Sequence, residues 1–129
     1  MVDALLALQA SVTKTGTFNG TGLAFPNGGP RRGMVARVLY SAATNASGSN
    51  SVTFSIDYAP DGSTWNTLAS AVPIALSTTA QAAELDIPFN IPLTAQPSAS
   101  AKIRLTATFS GAGSTPTITY EAAVGNAMP

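Results

Sequence analysis

The chain has 129 residues, with six basic and six acidic side chains, a formal net charge of zero, and neither cysteine nor histidine. The length suits one domain with a real core. The missing residue types remove disulfides, thiolate metal sites, the commonest general base and the commonest zinc ligand. Six basic residues are too few to assemble a nucleic-acid-binding stripe. Charged residues make up 9% of the chain, well below the roughly 25% usual in soluble domains, so the polar surface is built from Ser and Thr. A neutral, strand-rich chain has little charge repulsion to keep it apart from other chains, which fits a protein that ends up assembled.

Residues 1–7 are apolar, with Leu5 and Leu6 at their centre. They read either as a frayed terminus or as an arm reaching onto a neighbouring subunit. The run lacks a positive n-region and is far shorter than a membrane span, so neither a signal peptide nor a membrane anchor is expected. Residues 8–14 alternate, with Leu8, Ala10 and Val12 against Gln9, Ser11 and Thr13, and predict a first strand. Residues 15–25 predict a second strand, broken by glycines and with a turn at Asn19-Gly20.

Residues 26–33 form a Gly- and Pro-rich loop carrying Arg31 and Arg32. No helix follows to offer its N–H groups, so a phosphate cradle is not expected. The loop reads either as solvated or as a contact to an acidic partner. Residues 34–43 predict a strand with Met34, Ala36, Val38 and Tyr40 inward. Its other face, Val35, Arg37 and Leu39, is unusually apolar for an outer surface and reads either as a subunit contact or as ground covered by a loop.

Residues 51–68 carry the strongest pattern. Val52, Phe54, Ile56 and Tyr58 alternate with Ser51, Thr53, Ser55 and Asp57. Pro60 and Asp61-Gly62 supply a turn, and Trp65, the single tryptophan, returns over or beside the apolar face, where it is expected to be largely buried. Residues 69–83 are rich in Ala, Ser and Thr and predict a strand and a long connection, with a helical turn at 79–84. Residues 84–93 place Leu85, Ile87, Phe89, Ile91 and Leu93 on one side. Pro88 and Pro92 cannot donate to a ladder, so this strand is expected at a sheet edge or only partly paired. Residues 102–110 and 117–124 alternate cleanly and predict a closing hairpin; residues 125–129 form a tail.

About eight short strands with no convincing helix predict an all-β fold, a β-sandwich or barrel with the jelly-roll sandwich the natural eight-strand version, as a single domain over residues 1–129. No catalytic constellation emerges, and the chain is expected not to be an enzyme and to carry no cofactor. Glu84 and Asp86 share a strand face, but nothing converges on them. Asp57 and Asp61 read as strand and turn residues rather than calcium ligands.

The alternating strand followed by Tyr-Ala-Pro-Asp-Gly-Ser-Thr-Trp at 58–65, then Lys-Ile-Arg-Leu-Thr-Ala-Thr at 102–108 and Thr-Ile-Thr-Tyr-Glu-Ala-Ala-Val-Gly at 117–125, resembles small tailed-phage virion proteins. Within that group it is similar to the jelly-roll capsid cement, or decoration, proteins. The resemblance spans residues 12–124. It implies a structural role on the outer capsid surface, made in the host cytoplasm: binding the major capsid protein at capsomer junctions, stabilising the shell, and self-associating as a dimer or trimer, with no nucleic-acid or membrane partner. The expected contacts are Leu5, Leu6, Arg31, Arg32, Val35, Arg37 and Leu39, and Val35→Asp with Leu39→Asp is expected to abolish assembly in a folded monomer. The same turn occurs in phage tail modules and carbohydrate-binding sandwiches, so a tail, fibre or carbohydrate-binding module is the alternative.

Overall fold

A computed structural model describes residues 6–24, 33–91 and 101–126. The described residues form ten strands and no helix: β1 (Leu6–Lys14), β2 (Phe18–Asn19), β3 (Leu23–Ala24), β4 (Met34–Thr44), β5 (Asn50–Ala59), β6 (Asn66–Ser70), β7 (Ile74–Leu76), β8 (Gln81–Phe89), β9 (Lys102–Gly111) and β10 (Thr117–Asn126). One sheet has the order β1-β10-β4-β8. In the other, β9 and β5 are central, β2 and β3 both pair β9, and β6 and β7 both pair β5. Joining each broken pair as one interrupted strand gives two antiparallel four-stranded layers. The chain passes back and forth between them in the order that defines a jelly roll.

Alternation does the folding work. Val52, Phe54, Ile56 and Tyr58 on β5 face Ala36, Val38, Ile118, Tyr120 and Val124 from the opposite sheet, with Ile103, Leu105 and Ala107 completing the layer; all are buried. Phe54 and Tyr120 meet edge to face, with ring centroids 5.0 Å apart, the geometry that aromatic quadrupoles favour. Pro88 lies on β8, an edge strand, where its missing N–H costs no ladder bond.

Four expectations are corrected. The runs over β9 and β10 are not a hairpin: β9 pairs β5, β2 and β3, whereas β10 pairs β1 and β4 in the other sheet. Their connecting loop spends its hydrogen bonds on the β4–β5 loop instead. Gly113 N–H donates to Ser49 O (2.9 Å), Ser114 N–H to Ser47 O (2.7 Å) and Ala46 N–H to Ser114 O (2.9 Å). The helical turn at 79–84 is absent, because Gln81 to Glu84 extend along β4 as the start of β8. The alternation of β1 is interrupted by register shifts between Ala7 and Gln9 and between Gln9 and Val12, which leave Ala10 exposed. Trp65 lies outside the core, as described below.

Candidate functional site

The outer face of the four-stranded sheet is built from the residues that alternate with the core. Register places Arg37 of β4 between Ala123 of β10 and Asp86 of β8, and Leu39 between Glu121 and Glu84. Arg37 Nε and Nη2 donate to Asp86 Oδ1 and Oδ2 at 2.8 and 3.1 Å, a bidentate pair. The hydrogen bond from Arg37 lowers the Asp86 carboxyl below its ordinary value, and the same bond to Asp86 raises the guanidinium. Glu84 and Glu121 are exposed and enter no ion pair among the described residues. Between them Leu39 is 44% exposed.

Small side chains surround this row and leave two hollows in the face. One hollow of about 400 Å³ runs past Ser11, Leu39, Ser41, Ala83, Glu84 and Glu121. A second of about 250 Å³ runs past Ala7, Ala10, Arg37, Leu39, Glu121 and Ala123. They share Leu39 and Glu121, so together they form a groove crossing all four strands.

The sequence-predicted contact residues divide. Arg37 and Leu39 lie on this face. Val35 alternates with them but is only 6% exposed, beside its register partners Pro88 and Gly125. At that exposure it offers little contact surface, and Val35→Asp would bury a charge rather than test an interface. Leu5, Arg31 and Arg32 lie outside the described residues. The backbone of Leu6 opens β1 opposite Val124. Sequence reasoning passed over Glu84 and Glu121 as framing residues, because they flank Leu39 only through cross-strand register.

The outer face of the second sheet holds a different cluster. Asp57 of β5 is 5% exposed. Its Oδ2 accepts from Arg104 Nε (3.0 Å) and Thr106 Oγ1 (2.7 Å), and its Oδ1 from Thr67 Oγ1 (3.0 Å). The Arg104 guanidinium lies 4.2 Å from the Trp65 ring centroid. Trp65 is therefore half-buried on the polar face, correcting the expectation that it lies over or beside the apolar face and is largely buried. It packs close to Gly22, where a Cβ would stand 3.3 Å from the indole. Every acidic oxygen in this cluster has a donor, which leaves none facing outward for a ligand. Among the described residues no group of three or more His, Cys, Asp or Glu is placed to hold a metal ion.

The chain is thus a jelly-roll β-sandwich with one sealed polar cluster and one grooved, partly apolar outer face. No protein-family model matches it, and no curated protein sequence does. In fold it is similar to a chain in the structure of infectious bursal disease virus, Gx strain, with a TM-score of 0.62 and 8% identity over 94% of this chain. The match spans 30% of that longer chain. It is also aligned with the N-terminal cellulose-binding domain of Cellulomonas fimi beta-1,4-glucanase C over 97% of this chain and 78% of that one, at 15% identity and a TM-score of 0.40. That score is too low to define a common fold.

Proposed function

We propose that this chain is a structural protein of a virus particle, and more finely a cement or decoration protein that sits on the outside of a tailed-phage shell. In this reading it binds the major capsid protein at capsomer junctions and stiffens the shell, without acting as an enzyme. The observation that carries the reading is the outer face of the four-stranded sheet. A neutral jelly roll exposes a groove centred on Leu39, while its other polar cluster is saturated from within. A bridging domain of this kind adds buried interface at shell junctions, and about 800 Å² per partner is standard for specific association. Repeated over many copies, modest contacts become a large barrier to rupture. Dimeric or trimeric self-association belongs to the same proposal.

A carbohydrate-binding or fibre module needs a free aromatic platform. Trp65 already stacks on Arg104 and packs against Gly22, and this weighs against that reading. The test is co-sedimentation of the purified chain with shells from its own source, stripped of their native copies. Saturable binding at a fixed ratio to the shell protein, with a raised rupture temperature, is the expected result. Failure to bind shells, with association to tails or to a glycan, would overturn it.

A further inference from the structure

We propose that the groove across the four-stranded sheet docks a basic segment of the partner protein: an extended stretch presenting two Arg or Lys side chains on either side of one apolar side chain. This rests on the shell-binding reading for the partner's identity, but not for its chemistry. Glu84 and Glu121 are the in-register neighbours of Leu39 on either side. Two strand spacings set their backbones roughly 10 Å apart. Asp86 takes the bidentate contact with Arg37. Around the exposed leucine, Glu84, which feels Arg37 only at longer range, and Glu121 make no ion pair among the described residues. In a chain with only twelve charged side chains (six basic, six acidic), that concentration of one sign is a local field rather than a general surface property.

The same charges select among occupants. A phosphate backbone or an anionic membrane would be repelled. A second copy using this same face would set four carboxylates against one another, which excludes a two-fold contact through it. A basic partner gains on both counts: its cations meet Glu84 and Glu121, and its apolar side chain covers Leu39 in hollows that Ala83, Ala123 and Ser41 leave unfilled. The groove crosses four strands, roughly 14 Å, which is about four residues of extended chain.

The test has two arms. In the first, the ¹⁵N-labelled chain is titrated with the capped peptide Arg-Thr-Val-Thr-Arg and with its acidic counterpart Glu-Thr-Val-Thr-Glu. The expected result is amide shifts centred on Leu39, Ser41, Ala83 and Glu121 with the basic peptide alone, lost in the Glu84→Gln/Glu121→Gln variant. Shifts that are scattered, absent, or equal for both peptides overturn the proposal. In the second arm, the same variant, with its melting temperature checked against the parent, is bound to stripped shells. Affinity should fall roughly tenfold. Parent binding with a variant change under twofold overturns the docking proposal and leaves the shell-binding reading standing. No parent binding to shells, with localised peptide shifts, overturns the shell-binding reading and leaves the docking chemistry standing. Oligomers of the purified chain that Glu84→Lys/Glu121→Lys disperses would identify a second copy as the occupant and also overturn the proposal.

Discussion

Arg104 lies directly across the ladder from Asp57, donates to its Oδ2 at 3.0 Å, and carries Trp65 on its guanidinium. The pair is nearly buried, so removing one partner strands the other's charge. Asp57→Ala leaves Arg104, Thr106 and Thr67 without their acceptor and should destabilise the fold by about 3–5 kcal/mol in urea unfolding. Arg104→Ala should also free the indole, moving Trp65 emission to the red and opening it to iodide.

Val35 and Leu39 sit four residues apart on the same strand face and should respond differently. Val35→Asp buries an unpaired carboxylate and should cost more than about 3 kcal/mol. Leu39→Asp sets a third carboxylate between Glu84 and Glu121 at a half-exposed site and should cost about 1 kcal/mol while leaving the protein folded, and it removes the apolar side chain at the centre of the groove. Thermal melts and shell binding of the two single variants separate these outcomes.

Gly111 takes a φ of 103°, and a Cβ there would run into the Ser49 carbonyl. Both the backbone conformation and the close approach require glycine at this corner. Gly111→Ala should destabilise by about 2 kcal/mol or more by parting the two loops that cross between the sheets, and amide exchange at Gly113 and Ser114 should accelerate first.

Tyr120 is 1% exposed, and its hydroxyl has no hydrogen-bond partner among the described residues. Burial pushes its phenol up to about 12. Folding thus favours the neutral form: the contribution is complete below the ordinary value of about 10 and is lost as pH rises toward 12. Absorbance titration of phenolate should show this late step, and the step near 12 should disappear in Tyr120→Phe, leaving that of Tyr58, which burial also pushes up. That variant also removes an unmet donor, so it should be neutral or stabilising by up to about 1 kcal/mol.

The acid side has the opposite sign. Backbone N–H donation from Thr64 and Ser63 holds the Asp61 carboxyl at about 2, and Arg37 lowers Asp86. These carboxylates contribute stability above their unfolded values, near 3.9, and lose it as pH falls toward the folded ones. Melting temperature should be level down to about pH 5 and decline below it. Asp61→Asn should remove part of that decline, because the amide oxygen accepts the same bonds without titrating.

The strands were legible wherever alternation was unbroken. Val52 through Tyr58 and Ile103 through Ala107 announce both their extended form and their inner face. What alternation does not carry is pairing. β9 and β10 read as neighbours because they are adjacent in sequence, yet the 111–116 loop bonds to Ser47 and Ser49 and sends them to different sheets. Burial on an outer face is equally silent in sequence: Val35 and Leu39 have the same pattern, yet one is 6% exposed and the other 44%. The Glu84–Leu39–Glu121 row depends on the registers of three strands distant in the chain. Trp65 was misplaced for a related reason, since its size suggests the core while its partner, Arg104, lies on the polar side.

The strands that complete both layers come last. β9 lies between β5 and the β2/β3 pair, and β10 between β1 and β4. During synthesis, most of the chain therefore leaves the ribosome with the middle of each sheet vacant, and β1, β4 and β5 wait with open edges. The sandwich can close only after β10 has been made, which makes its folding dominated by distant pairings and slow. Until then the nascent chain exposes sites at which another copy's strands can add, and a message truncated before residue 117 yields a chain that lacks the central strand of a sheet.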